Sequence, residues 1–118
     1  MSKRILLIED DETVIDFLSV FFDEKNIDFD ITKKPKSALS LMDKNTYRLI
    51  FLDVSLGADD GSQYASLINK NSGDATIIMC TAKDRFWLQK NMDIKVRHLK
   101  KPFRIEELID LLTQFNIL

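Results

Sequence analysis

A chain of 118 residues, 45% hydrophobic and 31% charged, can bury roughly two thirds of its unfolded surface, enough for a single core. One domain spanning residues 1–118 is therefore expected, and three glycines with two prolines exclude a low-complexity tract or an internal linker. A formal charge of −2 excludes a general attraction to nucleic acid or anionic lipid, which relies on clustered Lys and Arg.

Ile5-Leu6-Leu7-Ile8 is apolar without alternation, which marks a strand covered on both faces. The run is too short for a signal peptide or a membrane span, so a soluble cytoplasmic chain is expected. Glu9-Asp10-Asp11 follows, and Val14, Phe17, Leu18 and Phe21 then recur at helical spacing, with Asp11 placed to cap that helix and Lys25-Asn26 to end it. Ile27, Phe29 and Ile31 alternate with polar residues, as in a half-exposed edge strand. Pro35 suits the first turn of a second helix carrying Ala38, Leu41 and Met42.

Leu49-Ile50-Phe51-Leu52 is a second buried strand, closed by Asp53. Tyr64, Leu67 and Ile68 mark a third helix, and Asn71-Ser72-Gly73-Asp74 stops it. Ile77-Ile78-Met79-Cys80 forms another buried strand ending at Thr81, and Cys80 within it reads as an inert buried thiol. A weaker helical pattern covers residues 84–92, and Val96 between Lys95 and Arg97 marks a second edge strand. Lys95, Arg97, Lys100 and Lys101 make a local basic cluster whose default reading is a solvated face. Ile105, Leu108, Ile109, Leu112 and Phe115 place a last helix at the end of the chain.

The order βαβαβαβαβα calls for an α/β fold with a parallel sheet, right-handed crossovers and helices on both faces. With the second and fifth strands as edges, it fits a flavodoxin-like (βα)5 three-layer sandwich, five-stranded with order 2-1-3-4-5. Ligands of such sheets bind beyond the carboxyl ends of the strands, where strand order reverses. Glu9, Asp10 and Asp11 follow the first strand, Asp53 the third, Thr81 the fourth and Lys101 the fifth. Carboxylates gathered there repel one another unless a cation offsets them, and an all-oxygen donor set suits Mg²⁺. The same acidic loop repels the phosphate of a flavin or nucleotide. A dehalogenase-type phosphatase needs a second Asp two residues after the first, where this chain has Ser55.

Across nearly its whole length the chain resembles the receiver domains of two-component response regulators. Leu7-Ile8-Glu9-Asp10-Asp11 is similar to the family's acidic pair, Ile50-Phe51-Leu52-Asp53-Val54 to its phosphoacceptor strand and Asp60-Gly61 to the opening of its third helix. Met79-Cys80-Thr81-Ala82 and Lys101-Pro102-Phe103 are similar to its hydroxyl and lysine motifs. The resemblance implies that Asp53 accepts a phosphoryl group from a histidine kinase or phosphotransfer protein. It implies a Mg²⁺ ligand set of Asp10, Asp53, the Ser55 carbonyl and, through water, Glu9, and a Lys101 ammonium against the phosphoryl oxygens. Thr81 would bond the phosphoryl group as a switch residue, Ala82 would leave access to it, and Lys101-Pro102 would be a cis peptide. The output would be an unnamed downstream protein or domain, with no direct binding to nucleic acid or membrane, from a monomer or a phosphorylation-dependent dimer. Such a chain is no enzyme beyond its own phosphorylation and dephosphorylation. A module of the same fold acting by constitutive contacts, without phosphorylation, is the competing function.

The chain departs from the family in three places. Gly57-Ala58-Asp59 replaces the usual Pro-Gly, the interval from Thr81 to Lys101 is about two residues short, and the customary Gly-Ala before the fifth strand is missing; His98 also stands where an aromatic switch residue is usual. His98 is read either as a switch or as an edge-strand side chain without a special role. Among Phe86, Trp87 and Leu88 a helix cannot turn all three inward, so Trp87 is a candidate partner anchor. Ser55 and Lys83 are placed to tune the phosphoryl lifetime.

Overall fold

Apolar runs that do not alternate must be covered on both sides, and positions 5–8, 49–52 and 77–80 are buried along their whole length. A computed structural model describes residues 5–53, 61–82 and 97–118, with residues 61–63 as backbone only. Its strands are β1 (Ile5–Ile8), β2 (Phe29–Thr32), β3 (Leu49–Leu52), β4 (Thr76–Thr81) and β5 (Arg97–Lys100). All pair in parallel, in the order β2-β1-β3-β4-β5. The described helices are α1 (Glu12–Glu24), α2 (Pro35–Lys44), α3 (Gly61–Lys70) and α4 (Ile105–Gln114). The helix expected over residues 84–92, Trp87 within it, and Val96 lie outside the described residues. Among the described residues, no helix is long and apolar enough to cross a membrane.

Period-two alternation along the strands divides the interior into two cores. Ile5, Leu7, Phe51, Ile78 and Cys80 face Leu18 and Phe22 of α1 and Leu108 and Leu112 of α4. Leu6, Ile8, Ile50, Leu52 and Met79 face Ala38 of α2 and Ala65 and Ile68 of α3. The sheet is thus the middle of three layers.

The rotation of α1 differs from expectation. Ile15, Leu18, Phe21 and Phe22 are buried, Val14 is half-buried, and Phe17 and Val20 are 44% and 57% exposed. Seven apolar residues between positions 14 and 22 make two overlapping stripes, so periodicity alone cannot choose between them. The aromatic contacts choose: the Phe22 ring lies 5.3 Å from Phe29 and 6.1 Å from Phe51, centroid to centroid. Likewise α3 buries Ala65 and Ile68 and leaves Leu67 exposed, and α4 buries Leu111, which the simple stripe omits.

Helix ends follow local chemistry. Asp11 accepts a hydrogen bond from the Thr13 amide at 2.9 Å, and Pro35 sits in the first turn of α2. Asn26, at φ 56°, ends α1 in the left-handed region, which Asn tolerates better than most residues. Ile27 is buried just before β2, whose four residues are all half-buried, as an edge strand requires.

Leu18→Ala should cost about 2–5 kcal/mol of stability and Asp11→Ala about 1 kcal/mol. Val20→Ala should stay within about 0.5 kcal/mol because its side chain is already in water. Urea denaturation of the three variants checks the inferred orientation of α1, and a Val20→Ala loss matching that of Leu18→Ala would refute it.

Candidate functional site

Parallel pairing brings the strand ends to one level, and ladder hydrogen bonds hold the residues just beyond them. The Glu9 amide donates to the Thr32 carbonyl at 3.1 Å, the Asp53 amide to Ile8 at 3.2 Å and the Lys101 amide to Thr81 at 2.9 Å. Each side chain therefore projects from backbone that belongs to the sheet. Glu9, Asp53 and Thr81 are buried, and Asp10 is partly exposed.

From the far edge of the pocket, the Lys101 ammonium donates to Asp53 Oδ2 at 3.0 Å and to Glu9 Oε1. Carboxylate oxygens of Glu9, Asp10 and Asp53 all lie within 4.8 Å of one another. The second Glu9 oxygen accepts the Asp10 amide at 3.2 Å and the Asp11 amide at 3.5 Å. Lys101-Pro102 is a cis peptide. Ser55, Asp60 and Lys83 lie outside the described residues.

The electrostatics reflect an excess of negative charge. Burial raises the Glu9 carboxyl most; the Lys101 hydrogen bond draws it back and Asp53 raises it again, leaving a pKa of about 7. Burial opposes the Lys101 ammonium, but its bonds to Glu9 and Asp53 outweigh that and hold its pKa above the ordinary lysine value. Dehydration pushes the Cys80 thiol up to about 12, which keeps it protonated and inert. Three carboxylates thus gather where one ammonium bonds two of them, and their oxygen donors fit a small divalent cation such as Mg²⁺.

The structure brings together Glu9, Asp10, Asp53 and Lys101. Thr81 lies fully buried at the end of β4, and its carbonyl holds the Lys101 amide. His98 stands half-buried in β5, opposite Met79 in β4 and outside this cluster. The basic cluster read as solvated divides: Lys100 is exposed, while Lys101 turns into the pocket. The direct Glu9–Lys101 pair was not anticipated, because strand order places residues at a sheet end without setting how far an ammonium reaches. Beside the carboxylates, Thr13, Val14, Phe17, Ala82, Lys101 and Phe103 line a cavity of about 410 Å³.

A family model described as response regulator receiver domain matches residues 5–113. The response regulator ArlR of Staphylococcus saprophyticus is 31% identical over 107 residues, covering 90% of this chain and 49% of that protein. The chain spans about half the length of the curated relatives it matches. The receiver domain of the Francisella response regulator 1452 superposes with a TM-score of 0.78 at 27% identity, covering 97% of this chain and 96% of that one. TrrA of Thermotoga maritima, solved in complex with Mg²⁺ and BeF, has a TM-score of 0.78 at 27% identity, covering 96% and 98% of the two chains. With the parallel sheet, the acidic cluster at its carboxyl edge and the match along nearly all its length, this chain belongs to the response-regulator receiver family.

Proposed function

We propose that residues 1–118 form one cytoplasmic receiver unit in which Asp53 accepts a phosphoryl group from a phosphohistidine on a sensor kinase or phosphotransfer protein. The resulting change in conformation would then regulate a downstream partner. The observation that carries this reading is the gathering of the Glu9, Asp10 and Asp53 carboxylates at the ends of the central strands, with the Lys101 ammonium bonded to Glu9 and Asp53. TrrA, similar over 96% of this chain, was solved with Mg²⁺ and BeF, a combination that imitates a metal-assisted phosphoryl group.

An Asp53 carboxylate oxygen attacks the phosphorus; an O–P bond forms as the N–P bond to imidazole breaks, and the imidazole leaves with the electron pair. Little else is required of the protein but position and charge. Lys101 faces the Asp53 oxygen at 3.0 Å and neutralises negative charge on the transferring group. The Thr81 hydroxyl would bond a phosphoryl oxygen, and the exposed Ala82 leaves the approach open. Glu9, Asp10 and Asp53 would hold Mg²⁺, with the Ser55 carbonyl added by resemblance to the family; bound there, the ion would supply positive charge to the phosphoryl oxygens. Thr81 and His98 are the switch candidates, their effect limited by how differently the phosphoryl group binds the two conformations.

Incubation with Mg²⁺ and acetyl phosphate should add one phosphoryl group, read by intact mass. Asp53→Ala should add none, chelation should stop the reaction, and Asp10→Ala should slow it by on the order of a hundredfold. Unchanged labelling of Asp53→Ala would sink the assignment, and partner binding that ignores Asp53 altogether would favour a constitutive interaction module.

A second expectation concerns the pocket itself. In metal-free protein, Lys101→Ala should cost about 3 kcal/mol, because two buried carboxylates lose their ammonium. Adding Glu9→Gln and Asp53→Asn to that variant should restore most of the loss in urea denaturation. No recovery would mean that Lys101 stabilises by packing and not by charge.

A further inference from the structure

The outer strand β2 carries its charges in a fixed order. The acids come first, Asp28 just before the strand and Asp30 within it, and the bases last, Lys33 and Lys34 just past its end. Asp28 and both lysines are exposed. The Tyr47 hydroxyl holds the Asp30 carboxylate, donating to Oδ2 at 2.6 Å. Thr32 holds the other end: its hydroxyl donates to the Lys34 carbonyl and accepts the Lys34 amide, both at 3.3 Å, and Lys34 is extended at φ −124° and ψ 131°.

Among the described residues, β2 is paired on one side, by β1. The Ile5 amide donates to the Asp28 carbonyl at 3.0 Å and the Glu9 amide to the Thr32 carbonyl at 3.1 Å. Peptide groups alternate in direction along a strand, so Asp28, Asp30 and Thr32 turn theirs to β1, while Phe29 and Ile31 turn theirs outward. The side chains of Phe29 and Ile31 pack against the core under α1, so the edge offers backbone and not an apolar surface. Outward N–H and C=O groups are a template for another strand.

We propose that β2 pairs antiparallel with β2 of a second copy of this chain, about a two-fold axis at Ile31. Centred there, Ile31 exchanges both peptide hydrogen bonds with its counterpart, and Asp28 and Asp30 come opposite the other copy's Lys34 and Thr32. The order of charges selects both the occupant and its direction. Antiparallel self-pairing sets Asp28 against Lys34 on each side of the axis, whereas parallel pairing sets acid on acid and base on base. Shifting one copy by a residue would turn outward peptide groups toward groups already bonded to β1. Lys33 falls opposite Phe29 and keeps its bond to Glu12 of its own chain. Asp28 and Lys34 lie outside the carboxylate cluster, so pairing and phosphorylation stand or fall separately.

Sedimentation of the full chain, up to about 1 mM because a short edge makes a small interface, should show a monomer–dimer equilibrium that weakens as salt rises. Asp28→Lys or Lys34→Asp alone should lower association about tenfold, since each sets like charges together on both sides of the axis. Mixing the two variants should restore it, and so should both substitutions in one chain, because opposite charges then face each other again. Amide exchange at Phe29 and Ile31 should slow as concentration rises. A monomer at every concentration would overturn the proposal: the edge then belongs to another protein's strand, or Lys33, Lys34 and Pro35 guard it against any. A dimer indifferent to both substitutions, a mixture that does not recover, or protection confined to α1, α4 or β5 would overturn it equally.

Discussion

The ammonium of Lys101 between Glu9 and Asp53 is the contact on which the pocket depends. Two buried carboxylates side by side repel each other strongly in a medium less polarisable than water, and neither can leave, because the backbone of each is held by a ladder bond from a neighbouring strand. The sheet thus imposes a concentration of charge that only a cation or a proton can offset. Lys101 provides the first positive charge, and the Glu9 carboxyl stays raised, by burial first and by Asp53 beside it. A pocket so built is ready for further positive charge, which is what phosphoryl transfer to a carboxylate asks of its surroundings.

Holding such charges in register takes rigid packing beneath them. The two cores meet the sheet from opposite sides, and alternate residues of each central strand are committed to one or the other. A one-residue slip of β1 or β3 would exchange the cores and move Glu9 or Asp53 away from the others. Packing of Phe22 on Phe51 and of Ile68 beneath the sheet therefore bears on the chemistry although neither residue touches the pocket.

Most of this was legible in the amino-acid order, for reasons that differ from element to element. Buried strands declare themselves because a run such as Leu49-Ile50-Phe51-Leu52 has no polar residue to offer water. The strand order followed from which runs alternate, and the site from the residues just past each run. Helix rotation was less legible: α1 is apolar at seven of nine positions, and only the contact of Phe22 with Phe29 and Phe51 decides that Phe17 faces outward. The Glu9–Lys101 pair was hidden for another reason, since it joins residues 92 apart in the chain through the reach of a flexible side chain.

Departures from the family's usual pattern fall in the connections, at Gly57-Ala58-Asp59 and in the shortened interval before Lys101, and at His98 within the edge strand β5, and not among the strand-end residues. That division has a physical basis. A connection can change length at small cost, because closure entropy varies slowly with loop size. The strand ends have no such latitude: with three carboxylates within 4.8 Å of one another and one ammonium bonded to two of them, neutralising any one of the four changes what the rest require. The pocket therefore behaves as one charge-balanced unit, while the loops and the outer faces of the helices are free to differ with the partner they meet.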